Sequence, residues 1–213
     1  MKTTVIMIRH GESESNKARI FTGQLDTKLT ELGVTQAKLA AKALSDVHID
    51  KIYASDLSRA YDTGYEVAKL KGLEIEKNIG LREIYAGKWE NLPYDEILER
   101  FPEDFGHWRR HIGTSRCTGG ESVAELYDRV VSEVLRIIKE NEGKTLCLAS
   151  HATPVRAVCA YASGIRAEDI SEEPFPGNAS ISILEYENGK LTPKVKGDIS
   201  HLCGLETFLP DDV

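Results

Sequence analysis

The run Val5-Ile6-Met7-Ile8 leads directly into Arg9-His10-Gly11-Glu12-Ser13, and no other stretch constrains the fold as tightly. Four consecutive apolar residues suit a buried strand of the kind found inside a parallel sheet. Open α/β sheets bind ligands at the carboxyl ends of their strands, so this strand delivers an arginine and a histidine to the edge where chemistry takes place. A histidine beside a guanidinium suits attack on phosphorus, with the arginine holding the anion while the imidazole accepts it. Gly11 is small enough for a ligand to approach the backbone closely. Taken alone, a residue such as His10 is more often a hydrogen-bonded structural histidine than a nucleophile, so its role depends on what else converges there.

Strand and helix patterns alternate along the chain, which predicts a βαβ sheet. Residues Thr30 to Ser45 carry Leu32, Leu39, Ala40, Ala43 and Leu44 at helical spacing, and Lys51 to Ser55 reads as a short strand. Leu57 to Leu70 is the next helix, stopped by Gly72, and Leu73 to Glu76 alternates as a strand. A long irregular stretch follows, with one short helix near Tyr94 to Arg100. Ser122 and Glu125 form a capping box for a helix with Val123, Leu126, Val130, Val134 and Ile137 or Ile138 on one face. Thr145 to Ser150 is a strand ending on His151, and Pro154 fits the first turn of the helix that follows. Ile181 to Tyr186 and Leu191 to Lys196 flank Asn188-Gly189, a strong signal for a C-terminal β-hairpin. The fold class expected is α/β: one three-layer domain over residues 1–213, with a mostly parallel central sheet flanked by helices.

Three predicted strand ends therefore carry polar groups: Arg9 and His10, then Ser55 and Arg59, then His151. In a parallel sheet those ends share an edge, so residues distant in sequence meet in one crevice. The competing reading makes Arg59 a solvated helix residue and His151 a helix cap. The coincidence of all three favours a site.

A length of 213 residues is enough for one domain with a substantial core. The net charge of −7 comes without a basic stripe and argues against nucleic-acid binding. No stretch is long enough to span a bilayer, and the chain enters its first strand without a basic leader and cleavage site, giving an expectation of a cytoplasmic protein without membrane contact. Cys117, Cys147, Cys159 and Cys203 show no C-x-x-C spacing, which disfavours disulfides and a zinc site. His107 and His111 are four apart, but Trp108-Arg109-Arg110 lies between them, so the zincin glutamate is missing. Gly143-Lys144-Thr145 precedes a strand and lacks the first glycine of a P-loop, and Gly11-Glu12-Ser13-Glu14-Ser15 lacks the closing glycine of a nucleophile elbow.

The residues resemble the histidine phosphatase, or phosphoglycerate-mutase-like, superfamily over nearly the whole chain. The resemblance rests on Arg9-His10-Gly11-Glu12-Ser13 with Asn16, Phe21-Thr22-Gly23-Gln24-Leu25-Asp26, Leu29-Thr30-Glu31-Leu32-Gly33 and Ser55-Asp56-Leu57-Ser58-Arg59-Ala60 with Thr63. Leu81-Arg82-Glu83, Gly119-Gly120-Glu121-Ser122 and Ser150-His151 extend it. Each string is short; their order and spacing together are specific.

This resemblance implies that His10 becomes phosphohistidine while Arg9, Arg59 and His151 surround the phosphoryl oxygens, with no metal and no cofactor. It implies that Glu83 is the proton donor to the leaving alkoxide, and that Asn16, Thr22, Gly23 and Gln24 touch the substrate. The backbone amide of Ala152, at a helix start, would add a donor. His10 must be neutral to attack, and neighbouring guanidinium groups disfavour its protonated form. The expected partner is a small phosphorylated metabolite; the assembly state stays open, with a homodimer as one option.

Phosphatases and mutases of the family share this machinery. Glu83-Ile84-Tyr85-Ala86-Gly87 differs from the cofactor-dependent mutase pattern, and the stretch from Trp108 to Gly120 is too short for the mutase insertion. Trp108-Arg109-Arg110 resembles a mutase substrate-binding string and suggests a second anion site on Arg109 and Arg110. The reading favoured is a metal-independent phosphatase. A phosphoglycerate mutase is the alternative, and a non-catalytic phosphate-binding module is the third.

Overall fold

A computed structural model describes residues 1–207. The first strand, β1 (Thr3–Arg9), is buried on both faces: Val5 and Met7 enter one apolar core, Ile6 and Ile8 the other. In chain order there follow α1 (Glu14–Lys17), β2 (Ile20–Phe21), α2 (Glu31–Ala43), β3 (Lys51–Ala54), α3 (Ser58–Lys71) and β4 (Ile75–Lys77). Next come β5 (Leu92–Pro93), α4 (Tyr94–Arg100), α5 (Pro102–Arg110), α6 (Val123–Glu140), β6 (Thr145–Ser150), α7 (Ala152–Ser163), β7 (Ile181–Glu187) and β8 (Lys190–Asp198).

The main sheet has the order β4-β3-β6-β1-β7-β8. Its first four strands are parallel, and β7 and β8 close the far edge antiparallel. Helices α6 and α7 cover one face through Leu126, Val130, Val134, Val155 and Val158, joined by Trp89 and Phe105. On the opposite face α2 and α3 pack Ala40, Ala41, Val67 and Ala68 against Ile6, Ile8 and Ile52. The result is the three-layer α/β fold expected, with strands β2 and β5 forming a small separate pair. Among the described residues, no helix is long and apolar enough to cross a membrane.

Local chemistry explains where the elements stop. Thr30 caps α2 by accepting from the Gly33 amide, and Ser122 with Glu125 completes the capping box of α6. Gly72 ends α3 in the left-handed region, so the chain reverses before β4 and the strand starts at Ile75, two residues later than its alternation suggests. The β7–β8 turn places Asn188 and Gly189 at φ +52° and +78°, as a type I′ hairpin demands. Helix α5 lies within the stretch expected to be irregular. Pro102 sits in its first turn, acidic Glu103 and Asp104 follow, and Arg109 and Arg110 close it, all in accord with the helix dipole.

Candidate active site

Strands β1, β6 and β3 are neighbours in the sheet, so their carboxyl ends present adjacent residues. Arg9 pairs with Ser150, and Ala54 with Ala149; the next residues along are His10, His151 and Ser55. The His10 and His151 rings lie 5.2 Å apart, edge to face, close to the interstrand spacing that carries them. Ser55 Oγ is 2.9 Å from His151 Nε2 on the other side.

The hydrogen bonds around His10 define its tautomer. Nδ1 lies 2.7 Å from the Gly11 carbonyl oxygen, which only accepts, so Nδ1 carries the proton. Nε2 accepts from Arg59 Nε at 3.3 Å and therefore holds its lone pair towards a guanidinium. Burial is the main reason His10 titrates well below the ordinary histidine range, and Arg59 and Arg9 reinforce it. His151 is likewise held neutral, by burial first and then by Arg59. Ser55 Oγ accepts from the Leu57 amide at 3.4 Å and pairs with His151 Nε2 at 2.9 Å, fixing the plane of that ring.

Arg9 and Arg59 are almost fully buried, and burial brings each guanidinium down to about 10. Arg59 donates to the carbonyls of Leu25 and Gly23, fixing the loop before α2. Arg9 donates through Nη1 to the Pro176 carbonyl at 2.6 Å and stacks on Phe175. Among the described residues its Nε and the Nδ1 of His151 are buried without a partner, which is rare for polar atoms in a folded interior.

A cavity of about 480 Å³ opens at this edge. Arg9, His10, Asn16, Thr22, Gly23, Arg59, Glu83 and Ala152 line it, so the fold gathers most of the residues singled out from sequence. Asn16 accepts from Ser13 and from Asn178 through Oδ1, leaving its amide nitrogen for the cavity. Glu83 is held by two backbone donors, Ile84 N at 2.8 Å and Thr153 N at 3.3 Å. Its loop is clamped from behind: Arg129 donates to the carbonyls of Gly80, Arg82 and Glu83 and forks onto Glu121 with two 2.9 Å bonds.

Other residues take different places. Gln24 does not line the cavity; its side chain donates to the Glu83 carbonyl and accepts from Arg82, tying one loop to the other. His151 sits behind the wall, fully buried. Arg109 and Arg110 are exposed on α5 and neither reaches the cavity. Trp108 is the residue of that string that does, because the helix turns its apolar face inward. Gly11 is small for a different reason from the one anticipated: a Cβ there would lie 2.3 Å from the Gly33 carbonyl oxygen, where α2 presses against the loop.

Sequence reasoning missed Arg156, Phe175 and Gly177, which complete the wall. Arg156 stands three residues after Thr153 and four after Ala152, a helical spacing that puts it on the same face. Phe175 and Gly177 belong to Pro174-Phe175-Pro176-Gly177-Asn178, whose Pro-Gly content marks an ordered turn. Asn178 ties that turn back by donating to the His10 carbonyl.

Comparison with known proteins gives a consistent picture. Phosphoserine phosphatase 1 of Hydrogenobacter thermophilus is 38% identical over 185 residues, covering 86% of each chain. Phosphoglycerate mutase-like protein 4 of Arabidopsis thaliana is 31% identical, over 93% of this chain and 86% of its own. Among solved structures, YhfR of Bacillus stearothermophilus superposes with a TM-score of 0.90 at 30% identity, over 94% of this chain and 99% of that one. The family profile described as Histidine phosphatase superfamily (branch 1) matches residues 5–199, and the chain belongs to that family.

Proposed function

We propose that the protein is a metal-independent phosphatase that hydrolyses small phosphomonoesters through a phosphohistidine on His10. The observation that carries this reading is a neutral His10 whose Nε2 faces the Arg59 guanidinium in a cavity lined also by Glu83 and by Arg9, whose buried Nε has no partner among the described residues. A buried donor left unsatisfied is costly, and a phosphoryl group in this cavity would satisfy it.

In the proposed first step the ester phosphate displaces Arg59 from His10 Nε2, so that the guanidinium passes to a phosphoryl oxygen. Nε2 then attacks phosphorus, the phosphorus–ester oxygen bond breaks with its electron pair leaving on that oxygen, and Glu83 protonates it to the alcohol. The Gly11 carbonyl holds the Nδ1 proton of His10 throughout. Charge spreading over the equatorial oxygens meets Arg9, Arg59 and His151. In the second step Glu83 takes a proton from water, whose oxygen attacks phosphorus; the nitrogen–phosphorus bond breaks, releasing phosphate and neutral His10.

Arg109 and Arg110, which carried the likeness to a mutase substrate string, lie outside the cavity, and this favours hydrolysis over isomerisation. The test is steady-state phosphate release from a panel of phosphomonoesters with chelator present, beside a 3-phosphoglycerate to 2-phosphoglycerate assay primed with bisphosphoglycerate. Release that is lost in His10→Ala supports the phosphatase. Isomerisation with little release would make the protein a mutase, and silence in both assays would leave a phosphate-binding module.

A further inference from the structure

We propose that Arg156 forms a second anion subsite that selects phosphomonoesters whose alcohol carries a carboxylate a few bonds from the ester oxygen. The proposal rests on the phosphatase reading above, with Glu83 marking the leaving-group side. Glu83 accepts from the Thr153 amide, and Arg156 lies one helical turn further along the same face of α7 and lines the same cavity.

Two bonds hold the Arg156 guanidinium in place, from Nε to the Glu173 carbonyl at 2.6 Å and from Nη2 to the Ser171 carbonyl at 3.2 Å. Nη1 has no protein partner among the described residues, and the side chain lines the cavity. The nearby carboxylate of Glu173 is already engaged by Lys196 at 3.0 Å and Ser163 at 3.3 Å, and Arg156 has no ion pair of its own among the described residues. Burial accordingly lowers its affinity for its proton, with Glu173 opposing only in part. Among the charged residues that line the cavity, Arg9, Arg59 and Arg156 face a single carboxylate, Glu83. The phosphoryl group accounts for two of these cations. A planar, fixed guanidinium with a free edge suits a carboxylate geometrically, while Tyr94, Trp108, Ile112 and Phe175 supply apolar walls around it.

O-phosphoserine and O-phosphoethanolamine differ only by that carboxylate, and the pair separates a specificity role from a structural one. The wild type should prefer phosphoserine. In Arg156→Gln, kcat/KM for phosphoserine should fall about 10- to 100-fold, the range of a lost charge-assisted contact. Phosphoethanolamine turnover should stay within about twofold, which also reports an intact fold, and Arg156→Lys should recover part of the loss. Equal losses on both esters in both variants, or a wild type that turns both over equally, would overturn the subsite while the phosphatase reading stands. No release from either ester by a wild type that hydrolyses other phosphomonoesters would overturn the subsite alone, and silence across all of them would overturn both.

Discussion

Acidification should destabilise this protein through two buried histidines, His151 and His10, the latter neutral in the proposed chemistry. His10 and His151 are 4% and 0% exposed, and burial is the first cause of their lowered proton affinity in the fold. In the unfolded chain each titrates near the ordinary value of about 6.5, so below that pH the unfolded state binds protons that the native state does not. Stability therefore rises with pH across this window and is lost as pH falls. If the native values lie below the range explored, moving from pH 7.5 to pH 5.0 costs about 2 kcal/mol per histidine, or about 4 kcal/mol for both. That is a large share of the roughly 5–15 kcal/mol that holds a domain together. Urea denaturation followed by circular dichroism, in buffers free of phosphate because a bound anion would stabilise the site, gives the loss directly. His201, lowered mainly by burial too, adds its own contribution. Comparing wild type with His10→Gln removes that background and should show the acid-induced loss reduced by about 2 kcal/mol. An equal loss in both proteins would mean that His10 protonates freely in the fold, and the argument for a neutral nucleophile would fail.

Three further outcomes follow from the geometry. Glu83→Gln should depress turnover of alkyl phosphates by about 10²- to 10⁴-fold while nitrophenyl phosphate, whose leaving group needs little protonation, loses much less; equal losses would remove Glu83 as the acid. Arg129→Gln, which loosens the loop behind Glu83 without touching the cavity, should reproduce that leaving-group dependence in weaker form, whereas a uniform loss would indicate general damage. Gly11→Ala should lower the denaturation midpoint by the equivalent of about 1–3 kcal/mol, because the added methyl meets the Gly33 carbonyl oxygen at 2.3 Å; an unchanged midpoint would show that α2 yields easily.

The sheet was legible because β1 and β6 are apolar runs with no ambiguity of period, and because the caps at Thr30 and Ser122 mark where α2 and α6 begin. Parallel pairing then brings His10, Ser55 and His151 together with no further information. What stayed hidden depends on helix rotation and on loops. Trp108, Arg109 and Arg110 are consecutive, yet the twist of α5 turns the tryptophan inward and leaves the arginines in solvent. Pro102 lies in the stretch read as irregular, yet it occupies the first turn of α5, a position proline suits. Arg156 was concealed for the opposite reason: its spacing from Ala152 is plain, but nothing in the sequence says that Glu173 is neutralised by Lys196 and so leaves the arginine unpaired. Gly11 carries a similar lesson, since its partner Gly33 is remote in sequence and the contact is backbone to backbone.

The most direct test of the account is to catch the phosphoryl group on the enzyme. Wild-type protein mixed with nitrophenyl phosphate, quenched in alkali within the first turnover and digested for mass spectrometry, should carry one phosphoryl group on the peptide containing His10, and His10→Ala should carry none and release no phosphate. A phosphoryl group on any other residue, or sustained phosphate release by His10→Ala, would contradict it.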